Sequence, residues 1–376
     1  MKNVVVCCDG TANEFATDRT NVVKLYYALE NGSNAQVAFY HPGLGTMEPP
    51  GALTDIGRRA TRLLGKAIGY GLEADIRDAY VFVLENFEPG DRLFLLGFSR
   101  GAYTARAVAS LLKMYGLLPR GNAPLAPYAI RLLKGIPHGA DEAHSSFRLA
   151  DEFRATFSPS HCAPHFVGVW DTVSSIGWIS NPLHLPYTAN NPDIAHGRHA
   201  VSIDERRAFF RTNLFVPHDP PRPSGPRDLK QVWFAGVHAD VGGGYPESQS
   251  GLAKLALEWM LEEAQACGLL VNKARADRVL GRGGGDYVAP NPMAPTHESL
   301  TLNWLAAEII PKQVYSNGVT RYRANFGARR QMPEGALVHW SVYERGEDYL
   351  RRIPASAIKV ERSPCPAPAP TPPAPS

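Results

Sequence analysis

LFLLGFSRGAYTARAVASLL, residues 93–112, begins as an apolar run typical of a buried strand and continues with apolar residues at helical spacing. Between the two parts stands Gly97-Phe98-Ser99-Arg100-Gly101. Two glycines leave room for a turn so sharp that the serine hydroxyl is exposed above a sheet. The segment therefore predicts a strand, a turn and a helix with a nucleophilic Ser99. A simpler interpretation is a glycine-rich turn that only docks a helix on a sheet.

Other segments repeat this alternation of strands and helices. We predict strands near residues 3–8, 36–40, 92–97, 165–170 and 231–237, and helices near 20–30, 71–87, 101–115, 203–210 and 251–267. Such alternation is typical of an α/β fold, with a mainly parallel sheet covered by helices on both faces, as in α/β-hydrolases.

The chain has the length of one large domain. We predict a single domain over residues 1–362, with helical or loop insertions at about 116–160 and 174–199. Residues 363–376 contain seven prolines in 14 positions and are expected to form an extended, disordered tail.

A serine needs a base and a group that orients the base. Asp171 follows the apolar run 165–170, and His238 follows the run 231–237. The chain order Ser99, Asp171, His238 is that of α/β-hydrolases. Asp171 has an alternative role as the cap of a helix that begins at Thr172. His297 and His339 are the alternative histidines, although structural hydrogen bonds are the simpler role for both.

An oxyanion hole needs two backbone N–H donors. One is expected from Arg100, directly after the nucleophile, and the other from Gly10 or Thr11, in the loop after the first strand. Asp9 has three candidate roles: capping the amides that follow it, pairing with Arg100, or holding a water. The Arg100 side chain either contacts a substrate phosphate or forms a salt bridge with Asp9 or Asp240.

The segment after Asp171 is rich in turn residues yet carries large apolar side chains. It either lines an acyl pocket or forms a lid, or it is a surface loop packed by its own side chains. The candidate pocket residues are Trp178, Ile179, Leu183 and Tyr187.

Composition limits the classes of partner. The 376 residues are 44% hydrophobic, and 39 basic side chains against 36 acidic ones give a net charge of +3. This balance argues against a nucleic-acid binder. The five cysteines show no metal or redox spacing, and we expect no metal and no cofactor.

Adjacent Cys7 and Cys8 should point to opposite faces of their strand. With no signal peptide and no transmembrane segment in the sequence, we expect a cytoplasmic protein. Export by a signal-independent machine and peripheral membrane contact stay open, and the sequence does not define the oligomeric state.

Nine segments, in consistent order from about Val4 to Pro354, resemble one family. They are CCDGTANEF, HPGLGT, GKAIGYGLEADIRDAY, FEPGDRLFLLGFSRGAYTAR, VGVWDTVSSIG, HAVSIDERRAFF, VWFAGVHADVGGGY, PTHESL and VHWSVYER. The chain is identified as similar to an α/β-hydrolase family catalogued as a domain of unknown function, which includes catalytic domains of type VI secretion phospholipase effectors.

The resemblance implies hydrolysis of carboxylic esters, with phospholipid acyl chains as the substrate of the effector members. The family's nucleophile falls on Ser99 in GFSRGA, its acid on Asp171 in VWDTV and its histidine on His238 in HADVGGGY. Effector members carry a long additional region associated with membrane docking, and from its 376 residues we expect this chain to lack one, so a soluble short-chain ester is an alternative substrate. The same residues also fit an acyltransferase or a non-catalytic phosphate- or nucleotide-binding module.

Overall fold

The computed structural model describes residues 1–10, 19–31, 34–43, 55–136, 140–158, 160–173, 177–178, 181–182, 185–208, 210–217, 225–301, 304, 308, 312–316 and 319–362. For residues 55–70, 140–143, 177–178, 181–182, 312–316 and 319–323 it describes the backbone alone.

Apolar runs form the central strands. The strands are β1 (Asn3–Cys8), β2 (Gln36–His41), β3 (Arg92–Phe98), β4 (Pro164–Trp170), β5 (Gly177–Trp178), β6 (Asn181–Pro182), β7 (His196–Ser202), β8 (Asp228–Phe234), β9 (Lys312–Ser316), β10 (Val319–Arg323), β11 (Leu337–His339) and β12 (Ile358–Val360). Eight of the described strands form one sheet in the order β12-β11-β8-β7-β4-β3-β1-β2. All pairs in this sheet are parallel. β5 with β6 and β9 with β10 form short antiparallel pairs.

Helices cover both faces of the sheet. They are α1 (Asn21–Ala28), α2 (Asp55–Asn86), α3 (Arg100–Tyr115), α4 (Ala126–Lys134), α5 (Ala140–Phe157), α6 (His238–Gly242), α7 (Gly251–Ala266), α8 (Lys273–Val279) and α9 (Glu347–Leu350). Helices α2 to α5 enclose one apolar core, and α1, α7, α8 and α9 enclose the other. A parallel sheet is normally buried on both faces in this way. The predicted α/β fold with a mainly parallel sheet is confirmed.

The adjacent cysteines of β1 show how the strand divides the two cores. Cys8 packs in the core under α2 to α5, while Cys7 packs in the core on the other face, as the alternation of a strand predicts. Both thiols are free and buried, and burial raises the pKa of Cys7 and of Cys8.

The structure corrects three details of the sequence-based assignment. The described residues within 203–210 do not form a helix, because the amides of Arg206 and Arg207 bond to the Glu205 side chain and that of Ala208 bonds to Glu308. The second insertion ends before His196 rather than at residue 199, because β7 begins there as a strand of the main sheet. In the described segment 160–173, no helix begins at Thr172 for Asp171 to cap. The tail 363–376 lies outside the described residues.

Among the described helices, none combines the length and apolar character needed to cross a membrane.

Candidate active site

Ser99 stands at the turn between β3 and α3, at the carboxyl edge of the sheet. Its backbone has φ 57° and ψ −119°, a conformation that L-residues rarely adopt and that stores strain. A Cβ atom on Gly97 would overlap the carbonyl oxygen of Gly101, and one on Gly101 would overlap that of Cys8. The two glycines therefore let α3 start directly against β3 and β1, and this close approach makes the turn at Ser99 sharp enough to project the side chain.

Asp171 and His238 meet at the same edge. Asp171 follows β4 directly, and His238 opens α6, four residues after β8 ends. His238 Nδ1 lies 2.5 Å from Asp171 Oδ2, and both side chains are buried. A hydrogen bond between the carboxylate and Nδ1–H fixes the tautomer in which Nε2 accepts a proton. The structure thus brings together two of the three predicted catalytic residues by a direct bond.

The third residue, Ser99, is placed beside this pair by its neighbours. Its backbone N–H donates to the carbonyl of Trp170, the residue before Asp171, at 3.1 Å. The ring of Phe98, the residue before Ser99, lies 4.6 Å from the ring of His238 between centroids. In the described part of the molecule, the side-chain bond of His238 is the one from Nδ1 to Asp171, and no hydrogen bond joins Nε2 to Ser99 Oγ. Catalytic hydrogen bonds often tighten only when substrate binds.

Sequence reasoning did not find the other donors to Asp171. The Ser202 amide donates to Oδ1 at 2.9 Å, and Arg330 donates through Nη1 to Oδ1 at 2.5 Å and through Nη2 to Oδ2 at 3.1 Å. Burial opposes ionisation of this carboxyl, but the Arg330 guanidinium and the His238 hydrogen bond outweigh burial and hold the pKa of Asp171 well below its usual range. Asp171 is therefore an ionised carboxylate in a buried position.

Two aromatic rings and a carboxylate complete the surroundings of His238. Phe210 meets the imidazole edge-on at 4.8 Å between centroids, whereas the ring of Phe98 makes a tilted contact. The His238 amide donates to Glu205 Oε2 at 3.2 Å, and Arg207 pairs with the same carboxylate at 2.9 Å. Burial opposes ionisation of Glu205, but its hydrogen bonds with Arg207 prevail and lower its pKa to about 2.

The candidate oxyanion donors differ in the partners of their backbone amides. The Arg100 amide stands at the first position of α3, where it has no partner within the helix. Gly10 lies against the nucleophile, since a Cβ atom on it would lie 3.3 Å from Ser99 Cβ, but its amide donates to Asp9 Oδ1 at 2.7 Å. This bond directs the Gly10 amide at a carboxylate and not at the space above Ser99. Thr11 lies outside the described residues.

The Arg100 side chain forms neither of the salt bridges considered for it. Asp9 accepts from Thr20 Oγ1 at 2.6 Å and from Tyr40 Oη at 2.9 Å, and Asp240 accepts from His297. Arg100 Nη2 is buried and has no hydrogen-bond partner in the described part of the chain. Burial lowers the pKa of Arg100 to about 10, and the negative charge of Asp75 limits this decrease. Arg100, which follows the nucleophile directly in the chain, thus has a donor nitrogen without a partner among the described residues.

The alternative histidines have structural partners. His297 Nδ1 bonds to Asp240 Oδ1 at 2.6 Å, and its ring stacks on Tyr245 at 3.7 Å between centroids. His339 Nδ1 bonds to Ser341 Oγ at 2.7 Å, and burial lowers its pKa to about 3. Neither ring is bonded to Asp171.

Of the candidate pocket residues, Tyr187 lies away from the site. Its ring contacts Lys113, at 5.9 Å from Nζ to the centroid, and Phe147. Lys113 is roughly 20 Å along α3 from Ser99, at about 1.5 Å rise per residue, so Tyr187 packs along the helix and does not line a pocket at the nucleophile. Only the backbone of Trp178 is described, and Ile179 and Leu183 lie outside the described residues.

A cavity of about 860 Å³ opens beside α6, where the His297 amide bonds to Asp240. Its lining is mostly apolar and includes Gln249, Val288, Pro290, Met293, Pro295 and His297. Among the described residues, no group of three or more His, Cys, Asp or Glu side chains has an arrangement that could hold a metal ion.

With the geometry in view, comparison with known proteins identifies the family. Residues 2–263 match the family described as "T6SS, Phospholipase effector Tle1-like, catalytic domain". The chain belongs to this family. Ser99, Asp171 and His238 all lie within the matched residues, whereas Arg330 lies beyond them.

Individual relatives of this Tle1-like chain match only parts of it. The uncharacterized protein YEL023C of Saccharomyces cerevisiae is 37% identical over an alignment of 226 residues that covers 57% of this chain and 33% of that protein. A crystal structure of an uncharacterized protein from Pseudomonas aeruginosa is 19% identical with a TM-score of 0.43, over 72% of this chain and 46% of the other. The Tle1 effector bound to the VgrG spike from the type 6 secretion system is 16% identical with a TM-score of 0.35, over 66% and 52%. The chain thus spans a third to about half of the length of these proteins.

Proposed function

We propose that this chain is a serine hydrolase of phospholipid acyl esters that works through Ser99, His238 and Asp171. The observation that supports it most is the 2.5 Å bond from His238 Nδ1 to the buried Asp171, beside a serine held in a strained turn. A carboxylate, an imidazole and a serine that follow β4, β8 and β3 at the carboxyl edge of the sheet are the components of an acyl-transfer site. Membership of a phospholipase effector family favours lipid esters as the substrate class.

The proposed reaction has two displacements. His238 Nε2 accepts the proton of Ser99 Oγ while that oxygen attacks the ester carbonyl carbon, and the amide of Arg100 stabilises the oxyanion. The imidazolium then gives its proton to the departing alcohol, which leaves an acyl-enzyme on Ser99. Water, deprotonated by His238, releases the fatty acid and regenerates the serine. Asp171 keeps the imidazole in the reactive tautomer throughout.

The Arg100 side chain supports a phosphate-containing substrate. Arg100 follows the nucleophile in the chain, and its Nη2 has no hydrogen-bond partner among the residues that the structure describes. Asp9 and Asp240 accept from other donors, and Asp75 acts on Arg100 through its charge. Arginine binds phosphate through paired N–H groups, which is the contact a phospholipid headgroup offers. A soluble short-chain ester is the second candidate substrate. The proposal that the type VI secretion machinery exports this protein rests on family membership alone.

The test combines a covalent probe with a substrate panel. We expect a fluorophosphonate to label the protein stoichiometrically, and Ser99→Ala and His238→Ala to abolish both labelling and turnover, with losses of about 10³-fold or more. Phospholipid vesicles should be hydrolysed faster than p-nitrophenyl esters of short acids. Folded protein that the probe does not label would contradict a serine hydrolase of any kind, and a preference for short soluble esters would contradict the lipid assignment alone.

A matched control is His339→Asn. His339 is also buried and stacks on an aromatic ring, Phe234, at 4.5 Å between centroids, but it bonds to Ser341 and not to Asp171. Its loss should lower stability and leave the labelling of Ser99 intact. Loss of labelling in this variant would point to a general sensitivity of the fold.

A further inference from the structure

Arg330 bonds to both oxygens of the Asp171 carboxylate, and one of them, Oδ2, is also the oxygen that bonds to His238 Nδ1. Its two terminal nitrogens contact the two carboxylate oxygens at 2.5 and 3.1 Å, and both side chains are buried. Arg330 Nη1 also donates to Ser202 Oγ at 2.6 Å, and Nη2 donates to the carbonyl of Phe210 at 2.6 Å. Because these additional acceptors fix the plane of the guanidinium, the pair has one geometry.

We infer that Arg330 is a positioning residue of the site, whose guanidinium keeps the Asp171 carboxylate ionised and directed at His238. This inference rests on the function proposed above and adds a residue to it. A fully buried carboxyl without a cation takes up a proton readily, because burial disfavours its charge. A protonated or rotated Asp171 no longer accepts from Nδ1–H, and the imidazole loses the tautomer that lets Nε2 act as the base.

The other charged groups around His238 are already paired and do not substitute for Arg330. Glu205 pairs with Arg207 at 2.9 Å, Asp240 with His297 at 2.6 Å and Asp204 with Arg352 at 2.7 Å. From α7, which packs on α6, Lys254 faces Glu247 at 2.7 Å and Glu258 faces Arg282. On β7, His199 also lies close enough to Asp171 to sense its charge, but burial lowers the pKa of His199 to about 3, so the ring is neutral and accepts from the Thr172 amide. Phe98 on β3 and Ser202 on β7 are uncharged. Arg330 is thus the cation in direct contact with Asp171 in the described part of the molecule.

The first test is the pH profile of kcat/KM for Arg330→Gln and Arg330→Lys, with one ester as substrate. In Arg330→Gln the acidic limb should move up by about one pH unit or more, the size of the effect of a neighbouring opposite charge on a carboxyl. kcat should fall about 10-fold or more with KM nearly unchanged, since Arg330 does not touch substrate. Arg330→Lys keeps the charge and should restore the position of the limb. If the acidic limb of the kcat/KM profile lies at the same pH in Arg330→Gln as in the native protein, the inference is overturned.

A double-mutant cycle separates positioning from simple support of the fold. If Arg330 acts through Asp171, the double variant Arg330→Gln/Asp171→Asn should be less than about 2-fold less active than Asp171→Asn alone. A purely structural role of Arg330 predicts instead that the losses from the two substitutions add. Arg198→Gln is the matched control, because Arg198 is buried and bonds to Glu263 and Asp228, each at 2.6 Å, at the opposite edge of the sheet. It should lower stability and leave the pH limb where it is.

A spectroscopic readout keeps the test independent of catalysis. The infrared difference between Arg330→Gln and Arg330→Gln/Asp171→Asn should show one additional protonated carboxyl band at mildly acid pH, and the corresponding difference between the native protein and Asp171→Asn should lack it. If the native protein proves inactive, the proposed function fails while this band still decides the role of Arg330. Absence of the band from folded Arg330→Gln would overturn the inference. If that variant does not fold, Arg330→Met, which is also uncharged, takes its place with the same expected and contradicting results.

Discussion

The ring of Phe98 lies against the imidazole of His238, with centroids 4.6 Å apart and planes inclined by 30°. Phe98 is the last residue of β3 and Ser99 follows it, so the strand that presents the nucleophile also supports the base. Gly242, the last residue of the helix that His238 opens, also lies against the Phe98 ring, where a Cβ atom would overlap it. The distance between the nucleophile and the base therefore depends on the packing of one phenyl ring.

We predict that Gly242→Ala lowers kcat about 10- to 100-fold, because the methyl group displaces Phe98 and with it the imidazole. A displacement of about 1 Å at a catalytic group can cost this much. The measurement is steady-state kinetics together with the rate of fluorophosphonate labelling. Gly283→Ala is the control, since nothing lies within 4 Å of the position of its Cβ atom. Unchanged labelling in Gly242→Ala would show that the ring contact does not position His238.

We predict that Arg100→Gln discriminates between the two substrate classes. Loss of the guanidinium should raise KM for phospholipid vesicles about 10-fold or more and change KM for an uncharged p-nitrophenyl ester less than about 3-fold, because only the lipid carries a phosphate. The substitution keeps the backbone amide at the first position of α3, so kcat for the uncharged ester serves as the internal control. Equal effects on both substrates would contradict a phosphate contact.

We predict that Glu205 makes the native state sensitive to acid. The pKa of Glu205 in the folded protein is about 2, below its ordinary value of 4.5. The ionised side chain therefore contributes to stability at a pH above 4.5, and this contribution is lost as the pH falls toward 2. Urea unfolding between about pH 5 and pH 2.5 should show a decline in the free energy of unfolding that is shallower in Glu205→Gln. Glu334→Gln, at an exposed position, should follow the native slope. Parallel slopes in Glu205→Gln and the native protein would refute this assignment.

The sequence predicted those parts of the fold in which hydrophobic pattern and local geometry agree. The run at residues 93–98 and the glycines at 97 and 101 predicted β3, the turn and α3. The apolar runs at 165–170 and 231–237 predicted β4 and β8, although β8 begins at Asp228 and ends at Phe234. β7 was missed because His196, Arg198 and His199 interrupt its apolar pattern. Arg198 is tolerated there because Glu263 and Asp228 pair with it.

The candidate site was predictable only where side chains follow strand ends. Asp171 and His238 do so, and the structure places them in contact, while their catalytic roles and that of Ser99 stay predictions. Arg330 follows a short antiparallel pair, 159 residues from Asp171, and no local pattern links the two. The Gly10 amide could not be anticipated either, because its bond to Asp9 depends on how that side chain turns back on the loop.

The contact between Asp171 and Arg330 also bears on how the protein is made. Arg330 lies downstream of the matched residues 2–263, so a nascent chain that already contains Ser99, Asp171 and His238 still lacks the guanidinium. A ribosome-bound chain that ends at residue 263 contains the Asp171 carboxylate but not the Arg330 guanidinium that pairs with it. Translation must pass residue 330 before the pair can form, so Asp171 acquires this partner only late in synthesis.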